Sequence, residues 1–122
     1  MILADTSVWI DHLRSGNSDL QALLNRGEVA IHPFIVAELA LGSLKQRART
    51  LALLDLLPQV RVAQAAEVRT AIEARNLYGV DIGLVDAHLI VSVLIDSSIR
   101  LWTYDKKLHG ITERLGIHAK LS

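Results

Sequence analysis

The sequence predicts an α/β fold: an α/β/α sandwich around a mainly parallel central sheet. Three observations lead there. Short apolar runs of strand length alternate with longer segments of helical period, as they must when each crossover between parallel strands takes a helix. At 122 residues and 51% hydrophobic side chains, the chain has the size of one domain, buries roughly two-thirds of its unfolded surface and is not disordered. Acidic residues close two of the strand-like runs, at the end of a parallel sheet where ligands gather.

The elements follow in order. Ile2 to Asp5 reads as a short buried strand, and Thr6 to Leu13 as a helix that Asp5, Thr6 or Ser7 can cap before the Gly16-Asn17-Ser18 turn. Asp19 to Arg26 reads as a helix ending at Gly27, and Val29 to His32 as a strand. Pro33 stands near the start of the next helix, which carries Glu38 and closes at Gly42. A helix over Lys45 to Leu57 stops before Pro58, Val60 to Val62 forms a short strand, and Ala65 to Leu77 is a helix ended near Gly79. Leu84 to Ile95 is apolar nearly all round, as a central helix is. Ile99 to Thr103 reads as a strand, Lys106 to Leu115 as a helix ended by Gly116, and Ile117 to Leu121 as a last strand. Repeats, linkers and low-complexity tracts are absent from the sequence, which is expected to form a single domain over residues 1–122.

Composition excludes several classes. Without cysteine there is no disulfide, thiolate metal site or cysteine nucleophile, so any metal is held by oxygen or imidazole, and a reducing cytoplasm is expected. No secretory leader pattern opens the sequence, and its apolar runs are broken by Asp86, His88 or Ser92 too soon to span a membrane. Thirteen basic residues balance thirteen acidic ones, so overall charge indicates no nucleic-acid partner, and local charge must carry that argument. The apolar excess also implies self-association, with candidate surface on the helices carrying Trp9, Leu13 and Leu51 to Leu57.

Four acids stand in apolar surroundings: Asp5, Glu38 within Phe34 to Leu41, Asp86 within Leu84 to Val91, and Asp105 after Leu101 to Tyr104. A buried, unpaired carboxylate costs several kcal/mol, so such groups are protonated, paired with a base or bound to a metal. Asp5 and Asp105 each end a strand and precede a helix, and Glu38 and Asp86 are read as falling early in helices that follow a turn. All four can therefore face one cavity. Crowded carboxylates repel unless a divalent ion compensates them, and Mg²⁺ or Mn²⁺ suits an oxygen shell better than zinc. Hydroxyls at Thr6, Ser7 and Thr103 are placed to orient such ligands.

Four segments carry a resemblance: Leu3-Ala4-Asp5-Thr6-Ser7-Val8-Trp9-Ile10; Ile35-Val36-Ala37-Glu38-Leu39 with Gly42; Val85-Asp86-Ala87-His88-Leu89-Ile90; and Leu101-Trp102-Thr103-Tyr104-Asp105-Lys106-Lys107-Leu108. In this order, over nearly the whole chain, they resemble the PIN domains, and among them the VapC toxins of bacterial toxin–antitoxin pairs. The resemblance implies that Asp5, Glu38, Asp86 and Asp105 form the acidic quartet of an endoribonuclease dependent on Mg²⁺, with Mn²⁺ as a substitute. Hydrolysis of RNA would then leave a 5′-phosphate and a 3′-hydroxyl. Asp5 and Asp86 are the first choices for direct metal ligands, Glu38 binds metal or positions water, and Asp105 acts through water. The same resemblance implies a homodimer, and a small antitoxin that places an arginine or lysine near Asp5, Glu38 and Asp86.

Each residue also has a structural reading. Asp5 and Asp105 serve equally well as helix caps, and Asp81 is better explained as the cap of the helix bearing Asp86 than as a fifth ligand. His88 lies two positions from Asp86 and so faces elsewhere, as a buried or interface histidine, while His12, His32, His109 and His118 show no metal spacing. Asp11 is read as a solvated acid, and Trp9 and Trp102 as core or subunit-contact residues. Lys45, Arg47 and Arg49 form a local basic cluster, joined by Arg75, Arg100, Lys106 and Lys107, that serves either phosphate contact or solvation. Two further function classes compete: an aspartyl-phosphate phosphatase or receiver-type domain, and a non-catalytic or stand-alone PIN-like RNA-binding or processing domain. The first lacks its second acid, because Thr6 and Ser7 follow Asp5.

Overall fold

A computed structural model describes residues 1–121. At its centre β1 (Ile2–Ala4) lies parallel to both β2 (Val29–Ala30) and β3 (Arg100–Trp102), in the order β2-β1-β3. Ile2 stands opposite Val29 and Arg100, and Leu3 opposite Ala30 and Leu101. Being flanked on both sides, β1 is buried wherever its side chains point, which is why Leu3 and Ala4 are both apolar and fully enclosed. With helices packed against this sheet, the chain forms the expected α/β/α sandwich.

Both outer strands shrink to single bridges. Over Val60 to Val62, one parallel bridge pairs Gln59 with Ile31, through the Ile31 N–H to Pro58 O (2.8 Å) and the Val60 N–H to Ile31 O (3.0 Å). The chain then turns away, and the Arg61 carbonyl accepts the Ser92 hydroxyl (2.7 Å) instead of a strand partner. At the other edge the expected Ile117 to Leu121 strand makes one bridge, His118 to Leu101. Each edge is apolar enough for a strand but too short to carry a ladder.

Helix ends follow local chemistry. α1 (Thr6–Ser15) runs two residues past Leu13 because Gly16, at φ 79°, takes the left-handed turn that closes it. α2 (Ser18–Asn25) is capped by Asn17, whose Oδ1 accepts the Leu20 N–H at 3.0 Å. α3 (Pro33–Ala40) has proline at its first position and His32 as cap, its Nδ1 accepting the Phe34 N–H at 2.9 Å. α4 (Arg47–Asp55) starts later than Lys45 because Gln46 is left-handed, at φ 48°. α5 (Ala65–Ala74) stops short of Leu77: left-handed Asn76 ends it, with the Leu77 N–H returning to Ile72 O at 2.9 Å. α6 (Leu84–Leu94) is buried continuously from Ala87 to Val93, as its apolar circumference requires. α7 (Lys106–Leu115) is capped by Asp105 and closed by Gly116.

The core runs through Leu3, Val8, Ile35, Leu89, Ile90, Leu101 and Leu108, with Trp9 and Trp102 in it as expected. α1 packs on β1 and α3, α3 on α4, and α6 on β3 and α5. Asn17 ties the front of the molecule together: its amide donates to Asp11 Oδ2 (3.0 Å) and to the Tyr104 hydroxyl (2.6 Å), joining α1, α2 and the loop after β3. Asn17→Ala removes a cap and both of these bonds, and should lower stability by about 1–2 kcal/mol in urea denaturation. An unchanged midpoint would show that the turn is held by its backbone alone.

Candidate functional site

The carboxyl ends of β1 and β3 meet at Asp5. Its N–H extends the ladder to Trp102 O (2.9 Å), and its extended backbone makes it the cap of α1. Oδ1 accepts the Val8 N–H at 3.2 Å and the Ser7 hydroxyl, while Oδ2 accepts the Thr103 hydroxyl. The same two hydroxyls stitch the next loop in place: Ser7 Oγ accepts the Tyr104 N–H and Thr103 Oγ1 the Asp105 N–H, each at 3.0 Å. Asp5 is 5% exposed. Burial pushes its carboxyl up from the ordinary aspartate value, against the pull of those donors.

The other three acids arrive from separate elements. Asp105 caps α7, its Oδ1 accepting the Lys107 and Leu108 N–H groups at 2.9 and 3.0 Å. Asp86, third in α6, reaches back to the Gly83 N–H at 3.3 Å. Its carboxyl is also raised, first by burial and then by the charges of Asp5, Asp105 and Glu38, so those three acids lie within electrostatic reach of Asp86. Glu38 is the sixth residue of α3, later than the sequence reading placed it, and is anchored by the Thr6 hydroxyl at 2.6 Å.

Two expectations need correction. The four acids are not equally buried: Asp5 is enclosed and Asp86 half-buried, but Glu38 and Asp105 are exposed. Apolar neighbours in sequence did not reveal this, because successive residues of a helix face different directions. Asp81 does not cap α6; Gly83 holds that position, and Asp86 satisfies its N–H from within the helix. Asp81 instead sits at φ 61° and pairs with Lys107 of α7, which pulls the Asp81 pKa down and the Lys107 pKa up. That pair joins residues far apart in sequence, and only the lysine following Asp105 hinted at it.

The histidines lie apart from the acids in function. His32 and His88 are buried around Phe34, with ring centroids 4.9 and 4.8 Å from the phenylalanine. Burial, then the neighbouring His88, lowers the His32 pKa to about 4, so the ring is neutral near pH 7 and its Nδ1 is free to cap α3. His12 Nδ1 accepts the Asn17 N–H at 3.1 Å, and Asp11 accepts from the Asn17 amide; neither belongs to the cluster.

Among the described residues no three His, Asp or Glu side chains converge tightly enough to hold an ion, for each acid is turned onto a hydrogen-bond donor of the protein. The ion pairs among those residues, Arg26–Glu28, Arg61–Glu67, Lys107–Asp81 and His109–Glu113, all leave the quartet out. The cluster is thus an all-oxygen set of acids outside every ion pair of the described residues, with the Lys107 charge acting on Asp105 from its pair with Asp81, and oxygen is the donor chemistry that a hard divalent ion takes.

Comparison with known proteins gives the family. The PIN domain family model matches residues 2–113. Ribonuclease VapC32 of Mycobacterium tuberculosis strain CDC 1551 / Oshkosh is 45% identical over 117 residues, spanning 96% of this chain and 94% of the relative. The protein of the same name from strain ATCC 25618 / H37Rv matches with the same identity and coverage. The chain belongs to the PIN-domain family, in its VapC branch.

Proposed function

We propose that the protein is a metal-dependent endoribonuclease toxin that hydrolyses RNA phosphodiester bonds and is inhibited by a cognate antitoxin. The observation that carries this reading is the placement of Asp5, Asp105 and Glu38 close enough to Asp86 for their charges to raise its pKa, with none of the four in an ion pair among the described residues. The 45% identity to proteins named ribonuclease supports RNA as the substrate.

Asp5 and Asp86 would hold Mg²⁺ or Mn²⁺ directly, Glu38 would bind metal or orient water, and Asp105 would act through water. When bound, such an ion lowers the pKa of coordinated water and offsets charge on the scissile phosphate. The chain's own residues do the positioning. Ser7 and Thr103 fix both oxygens of Asp5, Thr6 holds Glu38 at the mouth of the cleft, and the Gly83 N–H sets the Asp86 rotamer.

The antitoxin would cover the acidic cleft with an arginine or lysine that replaces the metal's charge. It would act in the cytoplasm; among the described residues no helix is long and apolar enough to cross a membrane. Homodimerisation is part of the same reading. Leu41 and Leu56, which follow α3 and α4, are 89% and 80% exposed, and a partner copy would cover them in such a dimer.

Asp86→Asn should lower cleavage on the order of a hundredfold or more, while the metal-free protein melts on the order of 3 °C higher at pH 7. The sign follows from linkage. The folded state holds the Asp86 proton more tightly than the unfolded chain, so the penalty is complete above the raised folded pKa and vanishes below the unfolded value of 3.8. The mutant's advantage should therefore shrink as pH falls towards that value. Near-native cleavage by the folded mutant would remove Asp86 from the site.

Metal should raise the melting temperature by binding only the folded state, worth about 2.7 kcal/mol at a hundredfold excess over Kd. Asp5→Asn should reduce that increment, and equal shifts in calorimetry would place the ion elsewhere. Light scattering at tens of micromolar, a range set by ordinary interface affinities, should show a dimer that Leu56→Glu weakens. A monomer at that concentration would defeat the dimer.

A further inference from the structure

Beside the acidic cluster, α1 and α3 diverge and leave a groove of about 420 Å³ that includes Glu38. Its lining combines apolar side chains, Ile10 and Leu13 of α1 and Leu39 of α3, with two cations, Arg14 and Lys45. Ile10 and Leu13 are partly exposed, at 41% and 38%, so the apolar lining is open to a ligand. The size is that of a small-ligand pocket, sufficient for a nucleotide.

The two cations are what distinguish this groove. Neighbouring Arg47 is committed: its guanidinium donates to the Ala40 and Gly42 carbonyls at 2.5 and 3.2 Å, closing the end of α3. The side chains of Arg14 and Lys45, by contrast, make no hydrogen bond or ion pair among the described residues. They line the same pocket as Glu38, and Glu38 reaches the cluster through Thr6. A strand whose scissile phosphate sits at the acids must leave the cleft along one side of α1. On this side it meets positive charge for a phosphate and apolar surface for a base.

We infer that this groove is the subsite for a nucleotide flanking the scissile phosphate, its phosphate held by Arg14 and Lys45 and its base lying on Ile10, Leu13 and Leu39. The inference rests on the ribonuclease reading and adds the path of the strand. The two cations unpaired among the described residues, Arg14 and Lys45, favour a phosphate here over a peptide that brings its own cation to Glu38.

The test is the double variant Arg14→Gln/Lys45→Gln. Binding of a fluorescent single-stranded RNA is followed by anisotropy without divalent ions, in an Asp86→Asn background so that no cleavage occurs. Affinity should fall on the order of tenfold, and the slope of log K against log salt should become shallower by about 1.4, for two lost phosphate contacts at roughly 0.7 each. With Asp86 restored, KM should rise and kcat stay unchanged. Arg14 also lies in the last turn of α1, where a cation complements the helix end, so a charge-conserving swap, Arg14→Lys/Lys45→Arg, serves as the second variant and should keep RNA affinity. An unchanged salt slope and KM would overturn the inference, including the case in which the double variant loses only a protein partner. Loss of binding in both variants would overturn it too, by showing a structural role. A wild-type chain that cleaves no RNA would sink the ribonuclease reading itself, while the anisotropy slope would still decide the groove.

Discussion

The buried carboxylate of Asp5 is the constraint on which the front of this molecule depends. The residue sits where β1, α1 and β3 meet: its backbone N–H donates to the Trp102 carbonyl and aligns the strands, while its carboxylate accepts the Val8 N–H, which starts the helix, and the Thr103 hydroxyl, which orders the loop that follows β3. A charge in such a place costs several kcal/mol if left unmet. Two hydroxyls and a backbone N–H reduce the cost without removing it, since burial still raises the pKa. The fold therefore carries a residue that an apolar side chain of similar size would make cheaper, and under the proposed function a ligand of opposite charge would give that residue its use.

The remaining acids are held by a common device. Asp5 and Asp105 are helix caps and Asp86 is the third residue of its helix, so three of the four carboxylates sit where backbone N–H groups and the positive end of a helix offset their charge. This is how a cluster of like charges tolerates assembly without a bound cation. Glu38 lacks that support, lying in the second half of α3, and it is also an exposed member held by a single hydroxyl. The freest of the four thus stands at the mouth of the cleft, next to the groove.

Much of this was legible in the sequence, for physical reasons that differ by residue. Asp5 and Asp105 declare themselves because one residue type serves both as strand end and as helix cap, and the hydroxyls at Ser7 and Thr103 follow from their neighbours. Asp86 is legible because a helix apolar all round has no solvated face to give it. Glu38 misled: its neighbours suggest burial, but the run Pro33 to Ala40 has one partly open face, and only tertiary packing says which. Asp81 and Lys107 were out of reach, because a long-range ion pair leaves no local signature. The edge strands failed for the opposite reason: the local pattern was right, and the chain simply departs after one bridge.

Charge distribution connects these points to function. Thirteen cations and thirteen acids cancel, yet the ion pairs among the described residues all leave the quartet out. Arg26, Arg61 and Lys107 are paired with acids outside the quartet, and Arg47, Arg100 and Arg114 donate to backbone carbonyls. The fold spends these cations on its own surface rather than on ion pairs with the quartet. A polyanion therefore meets no broad attractive field on approach, only local contacts beside a strongly negative cleft. Under the proposed function, a divalent ion held by the acids would draw the scissile phosphate to them, while the local contacts beside the acids would hold the flanking strand with or without that ion.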